Sequence, residues 1–321
     1  METNRSTREL MRRAYQLGQR TWPDFTSPFS RQDFTQPQLF ACLAVRESLK
    51  LSYRRAEVFL GDVPDWLAEI NLRQAPDHNT PWRAFGTLLK PRRIKRAPDL
   101  LAAEATDLAS DLARQPLSID STCYEPHHRS GHYDRVCRRM QRETQRKQGK
   151  PPGKWGKTVN ASRSRKLRRM PKLSLAVAAA SHRILAVKAM LGNGSDAPDF
   201  DDLLFHAWRR APVKTVVADA GFDSEKNHQI ARLDMSVRSV IPPKIGRPTT
   251  KPAQGRFRRL MQQRFARKAD AKVYGQRCQS ETVNSMMKRN LGECLRSIRR
   301  DRRKQEMLLK SLIHNLMLDG G

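Results

Sequence analysis

From Ser118 to the C-terminus, short β-like runs alternate with amphipathic helical stretches. The order is strand, strand, strand, helix, strand, helix, strand, helix, helix. A chain that switches between these two hydrophobic periods has to fold as a mixed α/β layer, with helices covering a sheet. "PLSIDSTCYEP" is the first run and ends in Asp120. "KLSLAVAAASHRILAVKAML" places two apolar runs around Ser181, His182 and Arg183, the layout of a β-hairpin. "GSDAPDFDDLLFHAWRRA" starts a helix with Ser195 or Asp196 as its cap. "VKTVVADAGFDSEKNHQIARL" reads as strand, turn and helix, with Gly221 letting the chain turn tightly, and "MSVRSVIPP" as another strand. A last helix carries Leu308, Leu309, Leu312, Ile313 and Leu316.

The N-terminal third differs. Residues 1–35 are polar and dotted with aromatics, a flexible arm with some helix. Residues 36–112 read as helices: "QPQLFACLAVRESLK" with Pro37 in its first turn, "LSYRRAEVFLGD" capped by Ser52, and a third start at Thr80 before Pro81. Short helices with basic residues between them fit a helix-turn-helix-like DNA-binding region, or a plain helical bundle. Residues 113–321 form the α/β domain. It is interrupted by a basic loop at 135–172, with 15 Lys and Arg against one acid, Glu143.

Lys and Arg number 62 against 32 Asp and Glu, a formal charge of +30. Charge of that size calls for a polyanionic partner, and nucleic acid is the leading one. No long apolar run suggests a membrane span. The N-terminus has no apolar core of a signal peptide. Five scattered cysteines without a C-x-x-C read as free thiols of a reducing interior. The expected location is cytoplasmic and nucleoid-associated.

Two of the β-like runs end in a carboxylate: Asp120 after Ile119, and Asp219 after Val216, Val217 and Ala218. Strand ends in α/β sheets are where sites form. A third acid lies in "YGQRCQSETVNSMMKRNL". On a continuous helix Tyr274, Arg277, Glu281 and Lys288 fall at about 0°, 300°, 340° and 320°, one stripe roughly 60° wide. Val283, Met286 and Met287 take the opposite face. Asp120, Asp219 and Glu281 together suit Mg²⁺ or Mn²⁺, which prefer oxygen ligands. Two such ions support an in-line phosphoryl displacement. Arg277 and Lys288 can meet phosphate oxygens, and Tyr274 can stack or hydrogen-bond near the strand being cut.

On these residues the chain resembles the DDE transposases of bacterial insertion sequences. "SIDST" is similar to their first carboxylate motif. Asp219-Ala220-Gly221-Phe222 matches their second, and Tyr274, Arg277, Glu281 and Lys288 match their Tyr-Arg-Glu-Lys signature with every gap kept. The resemblance implies a ribonuclease-H-like fold, two bound Mg²⁺ (or Mn²⁺), and double-stranded DNA as substrate at the element ends and at the target. It also implies strand cleavage followed by strand transfer, and a homodimer that brings two ends together. The other function class is a catalytically idle DNA-binding derivative that regulates or inhibits transposition. A general RNA-binding protein is a weaker third reading.

Two other clusters have blander readings. Cys123, His127, His128, His132 and Cys137 fit no common zinc spacing. Asp196, Asp199, Asp201 and Asp202 suit the positive end of a helix dipole, with one of them available to assist a metal.

Overall fold

A computed structural model describes residues 6–29, 31–126, 139–140, 143, 170–192, 194–244 and 253–318. Nearly all of the basic stretch 135–172, and the histidines after Cys123, fall outside the described residues. Eight helices come first: α1 (Thr7–Thr21), α2 (Gln36–Ser48), α3 (Tyr53–Gly61), α4 (Pro64–Glu69), α5 (Asn79–Leu88), α6 (Pro91–Ile94), α7 (Arg96–Glu104) and α8 (Leu108–Arg114).

The segment read as an arm holds α1, a 15-residue helix capped by the Ser6 side chain. Leu10, Met11, Ala14, Leu17 and Gly18 form its buried stripe at helical spacing. A Cβ on Gly18 would meet the Pro37 Cα at 2.8 Å, so the glycine allows α1 to close on α2. Thr35 and Gln38 cap α2 reciprocally. Residues 36–47 of that helix are all buried, so α2 is the axis of the helical region and not a one-faced surface helix. Ser52 caps α3, as its hydroxyl chemistry predicts.

The sheet follows with β1 (Leu117–Cys123), the short β2 (Glu125–Pro126), β3 (Lys172–Ala178), β4 (Ile184–Met190), α9 (Phe200–Trp208), β5 (Thr215–Ala218), α10 (Glu225–Gln229) and β6 (Arg238–Val240). Four helices and one strand complete the chain: α11 (Arg256–Ala266), α12 (Ala271–Gly275), α13 (Cys278–Leu291), β7 (Cys294–Leu295) and α14 (Arg300–Leu318). The strand order is β4-β3-β1-β5-β6. The first two pairings are antiparallel and the last two parallel, a ribonuclease-H-like layout. β3 and β4 form the expected hairpin, and His182 takes the left-handed conformation at its turn (φ 57°).

Strand alternation sends side chains to two separate cores. Leu117, Ile119, Ala176, Val216 and Ala218 pack against Phe200, Leu203 and Leu204 of α9. Leu173, Leu175 and Val177 face the other way, onto Val283 and Met287 of α13 and Met307 of α14. β1 therefore shows Leu117 and Ile119 to α9, and Ser118 and Asp120 to α13.

The helical region and the sheet are joined through a buried carboxylate. Glu47, at the end of α2, is fully buried. It meets Lys310 of α14 at 2.9 Å, Arg296 at 2.6 Å and Arg46 at 3.2 Å. Burial pushes the Glu47 carboxyl up, but Lys310, Arg296 and Arg46 together hold it below the usual carboxylate range. Lys310 also donates to the Gly292 carbonyl at 3.3 Å. Removing one partner strands the others in a dry interior. Glu47→Ala is expected to lower unfolding free energy by about 3–5 kcal/mol, read from the urea midpoint. Glu47→Leu combined with Lys310→Met should recover most of that loss.

Candidate active site

β1 and β5 run parallel and in step, Leu117 beside Val216, Ser118 beside Val217 and Ile119 beside Ala218. One residue further along lie Asp120 and Asp219, on strands spaced about 4.8 Å apart. The strands part there. β5 ends at Ala218, and Asp219 stands just before a single 3₁₀ turn over Ala220–Phe222, its side chain making no cap hydrogen bond. β1 does not stop at Asp120, as its sequence suggested. It continues to Cys123, held by β3 alone. Asp120 is thus rigidly carried by an antiparallel pair at the rim of a crevice, while Asp219 is exposed on its other side.

The turn after Asp219 is fixed from below. Phe222 is buried, with its ring centroid 6.4 Å from that of Phe200. Gly221 was expected to supply a tight turn, but its φ is not in the left-handed region. Its role is space, because a Cβ there would lie 2.9 Å from Oδ2 of Asp196. Asp196 in turn accepts from the Ser121 hydroxyl at 2.9 Å and from Lys172 at 3.0 Å. Lys172 is fully buried and also meets Asp199 at 2.7 Å, and Ser174 donates to Asp199 at 2.9 Å. Asp199 is itself 1 % exposed. It stands at the N-cap position of α9, with Asp201 and Asp202 in the first turn, and it also belongs to a buried ion network that the helix-dipole reading does not include. The network lies on the face of the sheet away from α13, ties the ends of β1 and β3 together, and stands against the turn at Gly221.

The second aspartate of "DAGFD" is structural. Asp223 receives Arg258 through Nε at 3.0 Å and Nη2 at 2.7 Å, with the Lys244 N–H at 2.8 Å. His228 and Arg258 hold it far below the usual carboxylate range, against the opposing effect of burial. Glu225 accepts from the Phe257 and Arg258 N–H groups, both at 3.0 Å, and so caps α11.

Glu281 is carried by α13, which lies across β1. The Ser118 hydroxyl is 2.9 Å from Ser280 Oγ, and Ser280 donates to the Arg277 carbonyl at 2.8 Å. The expected continuous helix over 274–291 is broken. α12 ends at Gly275, and Gln276, Arg277, Gln279 and Ser280 each bond three residues back, not four. Tyr274 therefore leaves the common stripe and packs edge-on against Phe265, centroids 5.2 Å apart. Arg277 still reaches it, 6.0 Å from the ring centre, and donates to Glu281 at 2.6 Å. Lys288 sits two turns further on, 5.7 Å above the ring of Tyr124, beyond the end of β1.

Five of the six sequence-predicted residues feel one another. Burial pushes the Asp120 carboxyl up to about 6. The Ser121 N–H and Arg277 oppose this, while Glu281 and Asp219 add to it. Burial also raises the Tyr274 phenol, with Asp219 and Glu281 contributing and Arg277 opposing. A carboxylate raised chiefly by burial, with two further acids adding to the effect, is a donor set of the kind a hard divalent cation takes. The three are not drawn tightly together, since Arg277 holds Glu281. Among the described residues, the one trio of ligand atoms within 4.8 Å of one another is Glu57, Asp77 and His78. That trio lies in the helical region, where His78 Nδ1 is 3.0 Å from Glu57 and 3.1 Å from Asp77, so its geometry is satisfied by hydrogen bonds alone.

Sequence reading missed Asn284. Its Nδ2 donates to Oδ2 of Asp120 at 3.2 Å. The available signal was its place one turn after Glu281, on the stripe that meets β1.

Because folding raises the Asp120 pKa, the carboxylate costs stability above pH 6 and costs nothing below its unfolded value near 4. Asp120→Asn is expected to gain roughly 1–3 kcal/mol at pH 7.5 without divalent metal, and nothing at pH 4. Thermal melts at the two pH values check this.

Among the described residues no helix is long and apolar enough to cross a membrane. No curated protein matches the chain. The family model of the transposase DDE domain matches residues 112–316, a span that holds the whole sheet, α9 to α13 and most of α14. The fold agrees with this match, which covers more than half of the sequence, and the chain belongs to the transposase DDE-domain family, whose members carry out phosphoryl transfer on DNA.

Proposed function

We propose that the protein is an insertion-sequence transposase that cleaves DNA at the ends of its element and joins the freed end to target DNA. Asp120, Asp219 and Glu281 are its catalytic carboxylates. The observation that supports this reading is the register of β1 and β5, which brings Asp120 and Asp219 to neighbouring positions, while the helix that carries Glu281 docks on β1 through Ser280 and Ser118. The donor set suits Mg²⁺ or Mn²⁺, probe ions of the same hard class, and a pair of them. When bound, such ions supply an activated nucleophile and stabilise the leaving oxygen. The same carboxylates then serve both cleavage and joining, since both are in-line displacements at phosphorus.

The remaining residues bind and orient DNA. Arg277 is paired with Glu281 in the free protein. It is released to phosphate oxygens once the glutamate turns to its metal-binding role, so DNA and cation assemble the site together. Lys288 lines the cleft beyond β1 and offers a point charge to the backbone. Tyr274 marks the near rim, at the end of a track formed by the exposed Arg256, Arg259, Arg267 and Lys268 of α11 and the loop after it. This grouping favours the Tyr-Arg-Glu-Lys class of the family. The helical region of residues 36–112 adds a second DNA contact, and α1 packs with it. Two ends must be held at once, so the working form is a homodimer.

The test uses purified protein and linear DNA carrying the sequences that flank its gene. With Mg²⁺, Glu281→Gln is expected to lower cleavage by at least about 10³-fold while DNA affinity stays near that of the native protein. A Glu281→Gln protein that still cuts would sink the assignment. Native protein that binds its flanks but cuts none of them, at any Mg²⁺ or Mn²⁺ concentration, would favour the idle regulator.

Arg277→Ala and Lys288→Ala should each slow end cleavage about 10- to 100-fold. Binding to unrelated duplex should change little, its salt slope dropping by about one per lost phosphate contact. Gel-shift titrations beside single-turnover cleavage separate the two effects.

A further inference from the structure

Asn284 is 7 % exposed and sits one turn beyond Glu281, between the apolar Val283 and the cleft. Its donor end is committed to Asp120. Its acceptor, Oδ1, is buried and bonds to no protein atom among the described residues. Buried amides nearly always satisfy both ends. An Asn with one end on a carboxylate and the other unpaired, at the mouth of a cleft lined by acids, is arranged for a second donor that arrives from the cleft. The residue type matters. Asp here would add a fourth negative charge beside Asp120. Lys or Arg would occupy the place of a cation. A Leu, at home against Val283 and Met287, would leave Asp120 without its restraint.

We propose that Asn284 is a positioning residue for the divalent cation, an inference that rests on the carboxylate reading above. Its N–H holds one oxygen of Asp120 so that the carboxylate presents the other. Its Oδ1 accepts from water carried into the cleft with the cation, which for Mg²⁺ and Mn²⁺ remains partly hydrated when bound. Partners of this kind orient the ligands themselves and change metal affinity about 10- to 100-fold when removed.

The experiment measures Mn²⁺ binding to the full chain from the loss of the free-ion electron paramagnetic resonance signal, with duplex affinity measured in parallel without metal. Asn284→Leu is expected to weaken Mn²⁺ binding about 10- to 100-fold and leave duplex affinity unchanged. Single-turnover cleavage should need correspondingly more Mn²⁺ to reach half its maximum. If Asn284→Leu does not fold, Asn284→Ser removes the same two contacts with less bulk and carries the same expectation. Glu281→Gln and Asp219→Asn are the references. If they lose Mn²⁺ while the Asn284 variants bind it as the native protein does, the inference about Asn284 is overturned and the carboxylate reading stands. If they too bind it unchanged, the carboxylate reading fails and the inference goes with it.

Discussion

The parallel pairing of β1 with β5 is the constraint on which the rest of the site depends. Because the strands run in step, the residues that follow Ile119 and Ala218 are both aspartates. Because β5 stops there and β1 continues on β3, the two carboxylates stand at a rim and not inside a ladder. The register is set by burial. Leu117 and Ile119 fill the core beneath α9, and a slip of one residue would exchange them with Ser118 and Asp120. That slip would drive a carboxylate among Phe200 and Leu203. The hydrophobic requirement of one face of the sheet thereby fixes the chemistry of the other.

Charge sorts the acids in the same direction. In a chain of net charge +30, a carboxylate has cations to choose from, and most of those described have taken them. Asp223 is held by Arg258, Asp270 by Arg264 and Arg238, Glu47 by Lys310 and Arg296, and Asp199 by Lys172. Asp120 has a neutral amide in place of a cation. Asp219 makes no side-chain hydrogen bond or ion pair among the described residues. Glu281 has Arg277 alone, in a pair that is half exposed and so worth little. Among these acids, those of the candidate site are the ones with the weakest cationic partners.

Much of this was legible in the sequence, where a residue's role follows from its near neighbours. Alternating apolar runs foretold the strands and the hairpin, Ser52 its helix start, and the Val-rich run the aspartate that follows β5. The rest depends on partners distant in sequence. Lys172 closes a long basic run and reads as one more solvated lysine. It is buried because Asp196 and Asp199 come back to it across β4. The helix holding Tyr274 to Lys288 reads as continuous because each residue there tolerates helix. It breaks at Gly275, and Tyr274 packs on Phe265 while Ser280 docks on Ser118. Gly221 looked like a turn residue, yet what it accommodates is the Asp196 carboxylate.

The two faces of the sheet end therefore divide the labour between stability and reactivity. On the α13 side, Asp120 is pushed toward its neutral form by burial and by two like charges, an arrangement that destabilises the fold at neutral pH. On the α9 side, one strand position along, Ser121 and Ser174 hand over to Asp196, Asp199 and Lys172, where donors and charges are matched. Hydrogen bonds to charged groups in a dry interior are strong, and they act on the same few residues of β1. The matched network holds the strand end in place against the repulsion on the opposite face. It can do so only because side chains alternate along β1, which lets consecutive residues meet opposite electrostatic conditions within one strand. A site whose carboxylates were borne by a loop would relax apart under the same repulsion. Here the strand holds Asp120 in place, and its carboxyl stays raised by burial with Glu281 and Asp219 adding to it.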